Sequence, residues 1–267
     1  MWPHTSYIVC ATPRSGSSLL NETLKNTSVM GIPEEYFLPQ NKRIWQRAWN
    51  TPTFSEYMAE VLRRGTSPNG VFGMKMMWGY FGQFGKQIQH LPGNRYQTVH
   101  KALSTVFPQL SYIWIRRRDK VRQAVSHAKA RQTNVWTVTD GLVPATVRRP
   151  VFSFQQLHFM VRELEAHDAA WQRYFATHAL HPYTVFYEDF VEHHEETVLD
   201  IMRYLHISVP EPVHFMPRLL KKQADEESEE WVQRYHDLKK RKGLHRMTAS
   251  LITILLPRFR MSPAGYE

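Results

Sequence analysis

One cysteine, Cys10, stands in a chain of 267 residues, so no intramolecular disulfide can form and the protein suits a reducing compartment. Cys10 falls in the apolar run Tyr7–Ala11 and reads as inert core. Met1-Trp2-Pro3-His4-Thr5-Ser6 lacks a basic segment followed by a long apolar stretch and does not read as a secretion signal. Long hydrophobic runs are absent as well: Leu251–Leu256 is far too short to span a bilayer. These absences point to a cytoplasmic protein without integral membrane association. Repeats and low-complexity tracts are lacking. Acidic residues are the scarcer charge, 24 against 34 lysines and arginines for a net +10, which suits an anionic ligand, a nucleic acid or a membrane surface without choosing among them. With 42% hydrophobic and 13% aromatic residues, the chain can bury a sizeable core. The expectation is a single domain over 1–267, with about 244–267 as a C-terminal extension whose apolar stretch can pack on the core, meet a partner or touch a membrane, core packing being favoured.

What is present alternates. Tyr7–Ala11 is a short apolar β-former, Thr12–Ser17 a turn, and Ser18–Lys25 has helical character. A second unit runs from the strand Leu110–Ile115 through Arg116-Arg117-Arg118 into a helix over Asp119–Arg131, with Val121, Ala124, Val125 and Ala128 at helical spacing. A long helix over Leu157–Phe175 precedes a third strand, Tyr183–Tyr187, and one further helix holds Val191, Val198, Ile201, Met202 and Leu205. Thr137–Pro150 is rich in turn formers and reads as a surface loop. After the charged run Lys221–Glu230, Trp231–Lys242 reads as a helix with a mixed-charge face. Strands alternating with helices predict an α/β fold, a central parallel sheet flanked by helices, in which ligands collect at the carboxyl ends of the strands.

Two turns at those ends are suited to anions. Thr12-Pro13-Arg14-Ser15-Gly16-Ser17-Ser18 lies between strand and helix, where backbone N–H groups and the helix N-terminus favour negative charge. Against the nucleotide-binding pattern GxxxxGK[ST], Gly16 and Ser18 are in register, Ser17 fills the lysine slot and Ala11 replaces the first glycine. A triphosphate enzyme normally uses that lysine with magnesium; a single phosphosulfate bridge needs less compensation, which the forked guanidinium of Arg14 can supply. The second turn places arginines at a strand end and Ser126 two helical turns later, a pair that can bracket one phosphate. Read without the first turn, it is equally a basic patch for nonspecific nucleic-acid contacts. His127, His158 and His193-His194 have no cysteine or HExxH spacing around them, so no metal is expected.

At this point several blocks, in order, resemble the bacterial trehalose 2-sulfotransferase family: Tyr7–Leu20, Pro33-Glu34-Glu35-Tyr36-Phe37, Gly70–Trp78, Arg117–Ser126, Gln132–Trp136 and Gln223–Trp231. The resemblance implies a P-loop-like sulfotransferase fold that uses 3′-phosphoadenosine 5′-phosphosulfate as co-substrate and releases 3′,5′-ADP. It implies that Thr12, Pro13, Arg14, Ser15, Gly16, Ser17 and Ser18 hold the 5′-phosphosulfate. Arg117, or its neighbour Arg118, with Ser126 would hold the 3′-phosphate. Glu35 would be the catalytic base, which suits an attacking hydroxyl that must lose its proton; Glu34 beside it stands where the family has a neutral glutamine. Arg14 would stabilise charge on the leaving phosphate, and Lys222 and Gln223 would close over the nucleotide. Lys75, following a strand, is either a sulfuryl-stabilising cation or a surface lysine lying on Trp78. Trp78 and Trp136 can stack on a sugar face or fill core, and the apolar stretches around them favour core. The implied partner is a small carbohydrate hydroxyl acceptor rather than nucleic acid, and a homodimer rests on the resemblance alone. The rivals are an NTP-dependent kinase-like transferase on the same sheet and, behind it, a basic nucleic-acid-binding protein.

Overall fold

A computed structural model describes residues 2–94, 97–136, 149–208 and 225–255, with side chains placed as far as residue 242. The elements run β1 (Thr5–Ala11), α1 (Ser17–Asn26), α2 (Pro39–Ala48), α3 (Phe54–Gly65), β2 (Val71–Met77), α4 (Trp78–Gln89), α5 (Val99–Val106), β3 (Leu110–Arg116), α6 (Lys120–Thr133), α7 (Phe154–Thr177), β4 (Tyr183–Phe186), α8 (Tyr187–Glu192), α9 (His194–Tyr204) and α10 (Glu226–Leu255). The strands form a parallel sheet in the order β2-β1-β3-β4. Parallel neighbours need crossover connections, and these are helical.

Every residue of β1 is buried, as a strand covered on both faces requires. Its side chains divide by the two-residue period of a strand. Ile8 and Cys10 join Phe72, Met74, Met76, Tyr112 and Trp114 beneath α3, α4 and α7. Tyr7, Val9 and Ala11 join Ile113, Ile115 and Val185 beneath α1 and α9. A third cluster clasps α6, α7 and α10 around Val125, Leu157, Trp231 and Tyr235. Cys10 is buried and burial pushes its thiol well above the ordinary range, consistent with inert core.

Local chemistry sets the helix starts. Thr53 and Glu56 exchange hydrogen bonds in a capping box at α3. Asp119 caps α6 by accepting from the Arg122 N–H, and Ser153 caps α7 by accepting from the Gln156 N–H.

Several expectations are corrected. The third strand ends at Phe186, because Tyr187 already opens α8. The single helix expected after it is two, since His193 adopts a non-helical φ of −124° and ψ of 49° between α8 and α9. Lys75 lies inside β2 rather than after it. The helix expected over Trp231–Lys242 is longer, Glu226–Leu255. Residues 137–148 of the expected surface loop lie outside the described residues, as do Lys222, Gln223 and the last part of the extension, 256–267. Among the described residues no helix is long and apolar enough to cross a membrane.

Candidate active site

The turn after β1 leaves the central strand and enters α1 through Gly16, whose φ of 94° lies in the left-handed region. A Cβ there would stand 2.3 Å from Cδ2 of Tyr187, so glycine is required both by conformation and by the ring pressed against it. Among the described residues no side chain caps α1, which leaves the first N–H groups of the helix available to an anion. The α6 start differs, being closed by Asp119; anion binding there falls to arginine side chains.

Arg14 also has positive φ, 62°, which turns its guanidinium away from the loop and toward α6. Its Nε donates to Ser126 Oγ at 2.9 Å and its Nη1 to the carbonyl of Trp136. Burial, and then the charge of Arg117, push Arg14 below its usual range. Arg117 stacks over Tyr187 at 4.8 Å, and its Nε is buried without a hydrogen-bond partner among the described residues. The two guanidiniums thus set like charges against each other in one recess. Arg118 is occupied elsewhere: both its terminal nitrogens donate to Asp189, at 2.6 and 2.7 Å, on the surface.

Thr12 and Pro13 are held by a residue that sequence reasoning missed. Gln123, fully buried on α6, donates to Thr12 Oγ1 at 2.9 Å and to the Pro13 carbonyl at 2.7 Å. Its own amide oxygen accepts from Lys120, whose ammonium lies 2.6 Å from the buried carboxylate of Asp168. Trp171 donates from its indole to the Ala11 carbonyl at 3.1 Å. The loop is thereby fastened from α6 and α7. Ser15 and Ser17 are buried, Ser15 Oγ without a partner among the described residues, while Ser18 is half-buried.

Across β1 from α6, the chain between α1 and α2 pairs with β2: the Lys75 N–H donates to the Glu34 carbonyl at 2.9 Å. That contact turns the two neighbouring acids in different directions. Glu34 forms a solvent-exposed pair with Lys25. Glu35 points inward, with side-chain exposure of only 16%, one oxygen 2.9 Å from Lys75 Nζ and the other accepting from Tyr80 OH at 2.7 Å. Lys75 Nζ also reaches Ser18 Oγ at 3.4 Å, bringing the acid and the α1 start to one ammonium. Lys75 is 7% exposed, which excludes the surface reading. Removing one partner of so buried a pair costs about 3–5 kcal/mol. Tyr80 was not among the expected site residues. Burial and then Glu35 push its phenol well above the ordinary range, so it remains a donor.

Trp136, expected in the core, is 44% exposed beside this recess, its indole tied to Asn134 Oδ1 at 3.1 Å. Trp78 is half-buried against the core. Among the described residues no group of three or more histidine, cysteine or acidic side chains is arranged to hold a metal ion.

Comparison with known proteins shows the family. The model of a family described as Stf0 sulphotransferase matches residues 6–237. The trehalose 2-sulfotransferase of Mycolicibacterium smegmatis is 30% identical over 270 aligned positions, covering 90% of this chain and 97% of that protein. The trehalose 2-sulfotransferase of Mycobacterium tuberculosis is 28% identical, covering 89% and 97%.

Proposed function

The chain belongs to the Stf0 sulphotransferase family, and from that premise we propose that it transfers a sulfuryl group from 3′-phosphoadenosine 5′-phosphosulfate to a hydroxyl of a small carbohydrate, trehalose being the first acceptor to try. The observation that carries this reading is the inward carboxylate of Glu35, held between Lys75 and Tyr80 beside the uncapped start of α1.

The step is an in-line displacement. The acceptor oxygen attacks sulfur as its proton passes to the free lone pair of Glu35. The bond from sulfur to the bridging phosphate oxygen breaks, and its electron pair stays on that oxygen, which leaves as part of 3′,5′-ADP. In this reading the N–H groups at the α1 start and Lys75 stabilise the charge that develops on the leaving oxygen, and Arg14 adds to them by swinging from Ser126 toward the loop. Lys75 plays two parts, orienting Glu35 before transfer and facing the departing phosphate through Ser18. Arg117 and Ser126 take the 3′-phosphate, and the crowding of Arg117 on Arg14 supports an anion in that recess. Thr12 and Pro13 fix the loop through Gln123. Lys222 and Gln223 remain proposed contacts to the nucleotide. We also propose a cytoplasmic protein that needs no metal and works as a homodimer.

Calorimetry with 3′,5′-ADP, ADP and ATP tests the donor class: 3′,5′-ADP should bind most tightly, and equal or tighter ATP binding would refute the reading in favour of a kinase. Glu35→Gln should lose transfer from a radiolabelled donor while still binding 3′,5′-ADP. Full turnover in that variant would remove Glu35 as the base.

A further inference from the structure

The hydrogen bonds that fasten the loop after β1 run in one direction, and they begin on α7. Asp168 is buried there, with Oδ2 2.6 Å from Lys120 Nζ and 3.5 Å from Arg116 Nε. Lys120 Nζ donates in turn to Gln123 Oε1 at 3.1 Å. Gln123 Nε2 then donates to Thr12 Oγ1 at 2.9 Å and to the Pro13 carbonyl at 2.7 Å. Each end of this amide is fixed by a group with a single role. An ammonium only donates, so it selects the amide oxygen; a carbonyl only accepts, so it selects the amide nitrogen. Both amide hydrogens are thereby engaged by the loop, and Thr12 Oγ1 is an acceptor. The hydrogen of the Thr12 hydroxyl has no acceptor among the described residues, although the residue is buried. Ser15, whose N–H closes the turn onto the Thr12 carbonyl at 3.2 Å, likewise has a buried Oγ without a partner among the described residues. Two buried hydroxyls left over in one loop call for an acceptor that a ligand brings.

Packing does not call for a carboxylate at position 168. The buried residues of α7 also include Leu164, Trp171 and Phe175, and replacing a buried ion pair by apolar side chains often leaves stability unchanged or raises it. What the acid provides is direction. It holds the ammonium that orients the amide, and hydrogen bonds running in one sense polarise one another, so the hydroxyl at the end of the chain becomes a better donor.

We infer that Asp168 is a positioning residue for the nucleotide: through Lys120 and Gln123 it sets the Thr12 hydroxyl to donate to the 5′-phosphate seated in the loop. The inference rests on the reading that this loop holds the 5′ end of the sulfuryl donor. Thr12 makes the contact, and Asp168 acts only through the residues between them.

Calorimetry with 3′,5′-ADP and with adenosine 3′-phosphate, which lacks the 5′-phosphate, tests the chain. Thr12→Val should weaken 3′,5′-ADP binding at least about tenfold, as expected for a hydrogen bond to a charged group, whereas Thr12→Ser, which keeps the hydroxyl, should stay within about twofold of wild type. Asp168→Asn should weaken 3′,5′-ADP about fivefold in the wild-type background but less than about twofold in the Thr12→Val background, because the two residues act as one unit. Adenosine 3′-phosphate should bind every variant within about twofold of wild type, since none of its own hydrogen bonds is lost. Should Asp168→Asn fail to fold, Gln123→Glu reverses the chain instead. A carboxylate cannot donate, so the Thr12 hydroxyl turns to it, and 3′,5′-ADP affinity should fall at least about tenfold with adenosine 3′-phosphate spared. Equal losses for Asp168→Asn in both backgrounds, or the same losses toward adenosine 3′-phosphate, overturn the inference and leave the donor reading standing. If wild-type protein binds 3′,5′-ADP no more tightly than adenosine 3′-phosphate, the loop does not hold the 5′-phosphate, and the donor reading fails together with the inference.

Discussion

His127 follows Ser126 on α6 and is 7% exposed, with Nδ1 buried and unpartnered among the described residues. Burial, then the charges of Arg131, Arg14 and His167, push its pKa down to about 4 from an ordinary 6.5. A base with a lower pKa when folded binds fewer protons in the native state, so stability rises with pH. The protein should hold its full stability above about pH 6.5 and lose it progressively as pH falls toward 4. At about 1.4 kcal/mol per pH unit, that gap corresponds to about 3 kcal/mol, a large part of the roughly 5–15 kcal/mol that stabilises a domain. Urea unfolding of wild type and His127→Asn across this range isolates the effect, because packing lost in the variant offsets its curve equally at every pH. The difference should move in the variant's favour by about 3 kcal/mol between pH 7.5 and 4. Parallel curves would refute a buried neutral imidazole. Bound 3′,5′-ADP sets negative charge against Arg14 and should narrow the difference.

Gly16→Ala forces a residue with a Cβ into a left-handed conformation at a cost of about 1–2 kcal/mol and drives it into Tyr187; thermal unfolding should show the loss, and calorimetry at least tenfold weaker 3′,5′-ADP binding. Arg117→Ala should remove about 1.5–3 kcal/mol of the preference for 3′,5′-ADP over ADP, as expected for hydrogen bonds to a charged group. Arg118→Ala, which breaks an exposed pair with Asp189 and a contact with the Phe186 ring, should change that preference by less than about 0.5 kcal/mol; the opposite ranking would exchange the two roles. Tyr80→Phe deletes one of the two groups that orient Glu35 and should lower kcat about tenfold, the loss of one hydrogen bond of about 1.4 kcal/mol, with 3′,5′-ADP affinity unchanged.

The parts of the fold legible in the sequence are those written locally. Continuous apolar runs marked β1 and β3, and the turns behind them announced where charge would gather, because a parallel sheet delivers every such turn to one edge. β2 is harder to place, since Gly73 and Lys75 interrupt its apolar pattern and the pattern alone puts Lys75 outside the strand that holds it. The break at His193 follows no proline or glycine, so nothing in the sequence marks it. The candidate site is less legible than the fold for the same reason. Tyr80 meets Glu35 across 45 residues, and Gln123 meets Thr12 across 111; such partners are selected by packing, not by spacing. A glutamine in the middle of a helix gives no sign that it will be fully buried. The separation of Glu34 from Glu35 likewise depends on the bridge to β2, a tertiary contact.

Tyr7 and Gly73 face each other across β1 and β2, and a Cβ on Gly73 would lie 2.4 Å from the Tyr7 hydroxyl, which itself donates to the Met30 carbonyl at 2.6 Å. This interlock acts as a key that admits one alignment of the two strands. Sliding β2 by a single residue would set a side chain against the phenol and turn Lys75 to the opposite face, away from Glu35. The spacing between the ammonium and the loop after β1 is therefore guarded from within the sheet, at a contact that precedes Lys75 on β2 and the loop on β1. Redesign of the acceptor side can proceed through the helices between β1 and β2 without touching that alignment, whereas a change at Gly73 would reach the reaction even though it lies in the core.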